Sequence, residues 1–384
     1  MTRKETFAAR PISMFVLLSF LALFTVAQAG FDLAALAVAG SKSTPQGKQS
    51  RGKKRDRSQD REEKEKAEPL TKGGAVSARP VMWQEPVDIQ QRDLFYGAGG
   101  REGAPDPAAT YTYIRPVKSG TQLKVVVKDN LDREWTVKFG PEARPETTAS
   151  RIVWAVGYHV DQDYFVKRAV ISGQKSYDAR DVRFERRDDG YKEVDNWRWS
   201  DNPFNSTREL DGLKTLMALL KNWDLKTDNN KIMRHKKQED AIYYVSDLGA
   251  TLGRTGSWLN KIPIFANLPA DKSGAKHAKG DPVAFSDEKL IDKVRDGKVS
   301  FHSQRSGPRR IFKGVTVSHA QWIGNLLGRL SDKQLKDAFR AGGFNDAEVE
   351  LYARTLRAHI EELQNLDDFT AMRPRRVTTC SRSY

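Results

Sequence analysis

Apolar and polar positions between residues 111 and 187 follow the two-residue period of β-strands. Strands are predicted where β-branched and aromatic residues recur between turn residues, at 111–117, 123–128, 134–139, 164–171 and 181–187. One helix is predicted within this series, at 145–157, because its apolar residues recur at spacings of three and four. Pro145 suits the first position of that helix. This half of the chain is therefore interpreted as a small antiparallel β-sheet with one helix.

The second half of the chain changes to the helical period. A helix is predicted at 209–222, a buried strand at 241–245, and further amphipathic helices at 318–365. The pattern as a whole predicts an α+β protein of two lobes. The first lobe spans 81–188, the second spans 189–367 and is mainly helical, and a loose basic tail follows at 368–384.

Two segments of the chain do not follow either period. Residues 188–208 are polar with two tryptophans, Trp197 and Trp199, and are predicted to form an insertion facing a cleft or solvent. Residues 272–313 are strongly basic. They fit either a surface that meets an acidic substrate or a disordered, soluble insertion.

The amino terminus carries an export signal. Three cations precede an apolar run at 14–26, and Ala27-Gln28-Ala29 then supplies small residues for cleavage before Gly30. The run is short for a transmembrane helix. We expect a signal peptide at 1–29 and an exported protein of bacterial type, periplasmic or extracellular. The alternative is an uncleaved anchor made from residues 14–39.

The charge of the chain and its cysteine content limit the classes of partner and of covalent cross-link that are expected. The chain of 384 residues has a formal charge of +15, and 30% of its residues are charged, which favours anionic partners. Residues 30–80 are polar and basic and are predicted to be a disordered linker. This linker could contact an anionic polymer or a membrane surface, although a solvated charge run is the simpler interpretation. Cys380 is the single cysteine, so no disulfide can form within the chain.

The candidate chemistry is carried by two polar loops. Asp224 and Asn229 lie five residues apart after the helix at 209–222, and Asp247 follows the strand at 241–245. An aspartate near the start of such a loop can accept a hydroxyl proton, and the other two side chains can share the Mg²⁺ that bridges ATP phosphates. Oxygen ligands without nearby cysteine favour Mg²⁺ over Zn²⁺. Lys226 and Asn229 occupy positions that exclude an EF-hand calcium loop.

A lysine within a strand adds a cation to this set. Lys138 lies in Trp-Thr-Val-Lys-Phe, where it is either an edge residue facing water or a functional cation. Glu146 falls on the core-facing side of the helix at 145–157 and needs a partner, since unpaired charges are rarely buried. Lys138 is the expected partner. Glu142 is the alternative, and either glutamate could instead be a helix-terminus charge.

These residues resemble the protein-kinase-like superfamily, and most closely its HipA and phosphatidylinositol 3- and 4-kinase-like branch. The resemblance covers about residues 110–260 and rests on D-x-x-x-x-N, on D-L-G, and on Ser-Gly-Thr-Gln-Leu-Lys at 119–124, which is similar to a G-x-Q-x-K phosphate loop. It implies a two-lobed kinase-like fold that uses ATP and Mg²⁺. Asn222 and Trp223 replace the usual histidine and arginine, which argues against regulation through an activation-loop phosphate.

The resemblance also implies roles for individual residues. Asp224 would be the base, Lys226 would neutralise the transferring phosphoryl group or simply face solvent, and Asn229 and Asp247 would hold Mg²⁺. The residues implied to bind nucleotide are Gly120, Thr121, Gln122, Lys124, Lys138 and Glu146. A plain hairpin turn is the alternative for the loop at 119–124.

Two functions from different classes follow. The first is an exported kinase-like phosphotransferase that moves the γ-phosphate of ATP to an unidentified hydroxyl acceptor, which could be a protein, a lipid or a small molecule. The second is an exported pseudokinase, or a nucleotide-dependent binding module without turnover. Scarce ATP outside the cytoplasm favours the second, and the complete set of Lys138, Asp224, Asn229 and Asp247 favours the first.

Overall fold

The computed structural model describes residues 78–120, 122–187, 190–237, 239–254, 278–302 and 310–366. The predicted signal peptide, most of the predicted linker, the predicted tail and Thr121 lie outside these residues. Among the described residues, no helix has the length and apolar character needed to cross a membrane.

Strands and helices alternate along the described chain. The strands are β1 Arg79–Val81, β2 Thr110–Val117, β3 Lys124–Lys128, β4 Glu134–Lys138, β5 His159–Val160, β6 Asp163–Gly173, β7 Tyr177–Arg186, β8 Tyr191–Asn196, β9 Asn230–His235, β10 Asp240–Val245, β11 Ile291–Arg295 and β12 Lys298–Phe301. The α-helices are α1 Ala143–Ala155, α2 Arg208–Leu219, α3 Pro282–Ser286, α4 Val317–Gly328, α5 Asp332–Ala341 and α6 Asp346–Gln364. The mixed composition agrees with the predicted α+β class.

Five of the strands close into a barrel, in the order β2-β3-β4-β7-β6. Alternate residues such as Trp135, Val137 and Phe184 are fully buried inside it. The strands that sequence periodicity predicts here are all present, and they pair antiparallel as predicted except where the barrel closes. The barrel closes through a parallel pairing of β2 with β6, which a local pattern cannot indicate.

A second sheet has the order β1-β10-β9-β8, and β5 also pairs with β10. One of its faces packs on the helical core through Tyr243 and Val245. Strands β1 and β5 belong to this sheet although they fall at the start and in the middle of the predicted first lobe. The described part of 188–208 contributes β8, whose residues Tyr191 and Glu193 line a cavity, and much of the segment is exposed. Its two tryptophans differ from the rest: Trp197 and Trp199 are buried at 2% and 6% exposure.

Helix α1 packs between the barrel and helix α5. It begins at Ala143, so Pro145 occupies its third position rather than the predicted first. A proline there is still tolerated, since the first-turn N–H groups have no partner within the helix. Helices α5 and α6 begin with reciprocal capping boxes, at Ser331 with Gln334 and at Asn345 with Glu348.

The described part of the basic segment 272–313 is folded. It forms α3 and the β11–β12 hairpin, and Phe285 and Phe301 are buried in the helical core. Arg254 and Ala278 are joined by two main-chain hydrogen bonds, of 2.9 and 3.0 Å. Residues 254 and 278 therefore lie side by side.

Candidate functional site

The ammonium group of Lys138 lies at the centre of three carboxylates. Its Nζ lies 2.7 Å from Oε2 of Glu142, 2.9 Å from Oε2 of Glu146 and 2.7 Å from Oδ1 of Asp247. Strand β4 directs Lys138 away from the barrel core because Val137, its neighbour, points into that core. Helix α1 and the turn before it supply the two glutamates, and the turn after β10 supplies Asp247.

Burial and charge act in opposite directions at this lysine. The Lys138 side chain is 2% exposed. Burial alone would lower its pKa, but the negative charges of Glu146 and Asp247 raise the pKa above its ordinary value. Burial would likewise raise the pKa of Asp247, and Lys138 outweighs this effect, so that pKa is lowered. The site therefore favours the charged forms of Lys138, Asp247 and Glu142, whereas burial raises the pKa of Glu146 despite the nearby Arg183 and Lys138.

The charged network continues from Glu146 along β7. Arg183 donates to Oε1 of Glu146 at 2.6 Å and to Oε2 of Glu185 at 2.6 Å, and it lies 2.9 Å from Asp163. Strand pairing sets Lys138 opposite Arg183, so both side chains lie on the same face of the barrel wall. The sequence analysis did not identify Arg183. The available signal was the alternation of charged and apolar residues in β7.

A cavity of about 230 Å³ adjoins this network. It is lined by Glu185 and Arg187 from the end of β7, and by Tyr191, Lys231 and Met233 from the second sheet. Lys231 lies 3.4 Å from Glu185 and 3.1 Å from Asp161. Side chains of this network therefore form part of the cavity wall.

The loop at 222–229 is fixed by its two asparagines. Asn222 accepts a hydrogen bond from the main-chain N–H of Asp224 at 2.9 Å, and Asn229 donates its side-chain amide to the carbonyl of Asp224 at 2.7 Å. Lys226 lies 2.7 Å from Oδ1 of Asp224 and donates to Oδ2 at 2.9 Å. The spacing of five residues thus serves to bring Asn229 back onto Asp224.

Asp247 is brought beside this loop by the end of the β9–β10 ladder. The main-chain N–H of Ser246 donates to the carbonyl of Asn229 at 2.9 Å. Asp247 itself has a φ of 51°, in the left-handed region that non-glycine residues seldom adopt. A Cβ at Gly249 would lie 2.6 Å from the Cβ of Glu142. The glycine of D-L-G therefore permits the close approach of Glu142 to Lys138.

The loop at 119–124 is described except for Thr121. Gly120 has a φ of 83°, and a Cβ there would lie 3.3 Å from Nζ of Lys124. A Cβ at Gly140 would lie 2.6 Å from Oε1 of Gln122, so Gln122 extends over the turn that follows β4. Lys124 pairs with Lys138 across the β3–β4 ladder, and its charge contributes to the lowered pKa of Asp247.

The oxygen atoms around Lys138 suit a divalent cation. Glu142, Glu146 and Asp247 each offer a carboxylate oxygen, and these atoms lie within 4.8 Å of one another. Both oxygens of Glu146 already have partners, Lys138 and Arg183. Asp247 is 35% exposed and Glu142 14%. Glu142 is likewise engaged at both oxygens, by Lys138 and Lys279. Of the three carboxylates Asp247, which contacts Lys138 through Oδ1, therefore fits a metal ligand best.

A buried lysine anchors the start of the loop that carries Asp224. Lys221 is fully buried, has a φ of 58°, and donates to the carbonyl of Lys289 at 2.5 Å. Burial lowers the pKa of Lys221 to about 8, against the attraction of Glu288 and Glu362. In the unfolded chain the pKa returns to its ordinary value of 10.5.

We expect the free energy of unfolding to rise with pH between about 8 and 10.5 because of Lys221. In this window the unfolded chain holds a proton that the folded protein has released, so stability is gained as pH rises and lost as it falls. The slope from one such group is at most about 1.4 kcal/mol per pH unit. Urea unfolding across this range measures it, with Lys221→Met as the control that removes the slope. Parallel curves for the two proteins would contradict the assignment.

Comparison with solved structures gives a distant likeness. No protein-family model and no curated protein sequence matches the chain. A solved structure of the proinflammatory kinase CtkA from Helicobacter pylori matches with 12% identity and a TM-score of 0.35, over 63% of this chain and 90% of that one. At this TM-score the likeness carries no conclusion about the fold. The contacts around Lys138 are therefore the basis for a function.

Proposed function

We propose that the protein is a kinase-like phosphotransferase that moves the γ-phosphate of ATP to a hydroxyl acceptor. The observation that carries this proposal is the contact of Lys138 with both Glu146 and Asp247. A strand lysine held by a helix glutamate, beside a metal-binding aspartate, is the arrangement that phosphoryl transfer by kinases requires. Membership of the HipA and phosphatidylinositol-kinase-like branch is part of the proposal and is supported by the loop at 119–124.

The proposed transfer assigns one role to each charged group. The acceptor oxygen attacks the γ-phosphorus, the bond to the β,γ-bridging oxygen breaks, and ADP leaves with the electron pair. Asp224 accepts the proton of the acceptor hydroxyl, and Lys138 and Lys124 bind phosphate oxygens. Asp247 and Asn229 would hold Mg²⁺, which would supply positive charge to neutralise the phosphates. Lys226, which lies 2.7 Å from Oδ1 of Asp224, would neutralise charge on the transferring phosphoryl group.

The cavity beside Glu185 and Lys231 is proposed as the place of the nucleotide base. It adjoins the charged network that ends at Lys138, so a base there can extend its phosphates towards this lysine. Glu185 and Lys231 form an ion pair in the wall of this cavity, and their polar groups can orient a heterocycle. Its size, about 230 Å³, suits a base rather than a whole nucleotide.

ATP with Mg²⁺ is expected to raise the thermal midpoint of the full chain, and ATP with EDTA to raise it much less. Occupancy at a hundred times the dissociation constant stabilises a protein by about 3 kcal/mol. Asp247→Ala should remove the Mg²⁺-dependent part of this shift. Asp178→Ala is the matched control, since Asp178 is a surface carboxylate that pairs with Arg168. No shift under any condition would contradict nucleotide binding.

A second function, nucleotide binding without turnover, is favoured by one observation. Lys226 contacts both oxygens of Asp224, and the hydrogen bond with Asp224 raises the pKa of Lys226. Both carboxylate oxygens of Asp224 are then occupied, so neither is free to receive the proton of an acceptor hydroxyl. A pseudokinase would show the ATP shift described above but would form no ADP with any acceptor.

A further inference from the structure

A second cavity, of about 540 Å³, is lined in part by Arg151 of helix α1. Its walls are mostly apolar and come from the chain before β2 and from strand β6. Phe95, Tyr96 and Pro105 form one side, and Phe165 and Val166 form the other. This volume is within the usual range for small-molecule sites, and no step of the proposed transfer uses it.

A buried arginine lines this cavity without a carboxylate partner. Arg151 is 2% exposed. Its Nε donates weakly to the carbonyl of Phe95 at 3.4 Å, and its guanidinium lies 5.0 Å from the ring centre of Tyr164. Within the described part of the chain, no acidic group forms an ion pair with it and its terminal nitrogens have no hydrogen-bond partner. Burial lowers the pKa of Arg151 to about 10, still far above neutral pH, so a cation remains there.

The main chain is shaped around this guanidinium. Gly97 has a φ of 70°, and a Cβ there would lie 2.4 Å from Nη1 of Arg151. A Cβ at Gly99 would lie 2.0 Å from the hydroxyl of Tyr164. Both glycines belong to the glycine-rich turn at 97–100. This turn covers Arg151, and the residues before it, Phe95 and Tyr96, form a wall of the cavity.

The charges of the lining are all of one sign. Arg151, Lys167 and Arg168 line the cavity, and its described lining contains no aspartate or glutamate. Arg168 is exposed and already pairs with Asp178 at 2.7 Å, so Arg151 is the cation at the enclosed end. A single buried cation among apolar walls suits a ligand with one negative charge and an apolar body. A polyanion such as a nucleotide would leave further charges against those walls.

We propose that this cavity binds a small organic carboxylate with an apolar body, of the fatty-acid or aromatic-acid type. The carboxylate pairs with Arg151, whose planar guanidinium can donate two parallel hydrogen bonds to it. The apolar body lies against Phe165 and Pro105. This site is separate from the one proposed for ATP, so each can fail without the other.

Octanoate and 4-phenylbutyrate are suitable probes, with octanamide as a neutral match for octanoate. In titration calorimetry of the full chain we expect octanoate to bind at least tenfold more tightly than octanamide. Arg151→Met should weaken the binding of octanoate by about 10- to 100-fold, the range expected for loss of a charge-assisted hydrogen bond. Arg144→Met is the matched control, since Arg144 is on the same helix but pairs with Glu348, and it should leave binding unchanged.

A second variant keeps the test decisive if Arg151→Met does not fold. Ala341→Trp fills the cavity from the end of α5 while Arg151 stays intact, and it should reduce binding of both acids. Equal affinity for octanoate and octanamide would overturn the proposal. Binding that survives Arg151→Met, or no binding of either acid at millimolar concentration, would overturn it as well. An acidic peptide that binds where the acids do not would assign the surface to a protein partner instead.

Discussion

Asp224→Ala is expected to reduce γ-phosphate transfer by roughly 10²- to 10⁴-fold, the usual contribution of general base catalysis. ATP binding in the presence of Mg²⁺ should remain, because Asp224 is not among the groups that contact Lys138. The position of the loop should also remain, since Asn222 and Asn229 hold Asp224 through its main-chain N–H and carbonyl. The substitution therefore removes the carboxylate and little else.

ADP formation with a panel of protein, lipid and sugar acceptors measures this effect. Asp228→Ala is the control, because Asp228 is an exposed carboxylate in the same loop. A fall in transfer for Asp224→Ala but not for Asp228→Ala identifies the base. If the wild-type protein binds ATP and forms no ADP with any acceptor, the binding module without turnover is the better description. Unchanged transfer by Asp224→Ala would contradict the assigned role.

Lys138→Met is expected to lower the free energy of unfolding by about 3–5 kcal/mol, whether or not the protein is an enzyme. Removing one partner of a buried ion pair leaves the other charges without compensation. Here three carboxylates, Glu142, Glu146 and Asp247, lose their common cation. Glu146 would retain only Arg183. Few single substitutions in this chain should lower the free energy of unfolding by more.

Urea unfolding at pH 7 measures this loss, with Lys128→Met as the control. Lys128 lies in the same barrel but is 37% exposed, and its partner Asp132 is 90% exposed. Exposed pairs of this kind contribute less than about 1 kcal/mol. The loss in Lys138→Met should shrink at acid pH, because uncompensated carboxylates take up protons. Equal losses in the two variants would show that the buried charges are not coupled.

Much of the fold could be predicted because its strands and helices are locally regular. The apolar stripe of α1 and the alternation in β4 were sufficient to place Glu146 and Lys138 on facing surfaces. Barrel closure was not predictable. It depends on the pairing of β2 with β6, which are far apart in sequence, and no local pattern encodes that contact.

The candidate site was predicted where its residues belong to loops with a recognisable spacing, as for Asp224 and Asn229. It was missed where strands supply the charges. Alternation tells which face of β7 carries Arg183 and Glu185, but it does not tell which groups from other strands meet them. Arg151 was missed for a related reason. It lies outside the apolar stripe of α1, and only the structure shows that the chain around Gly97 covers it.

Arg254 and Ala278 are joined by two main-chain hydrogen bonds close to the charges around Lys138. These two bonds hold residues 254 and 278 side by side, at 2.9 and 3.0 Å. Lys279, the next residue, donates to Oε1 of Glu142 at 2.5 Å, and Glu142 contacts Lys138. A substitution that breaks the main-chain pair at 254 and 278 should therefore also disturb the charges around Lys138.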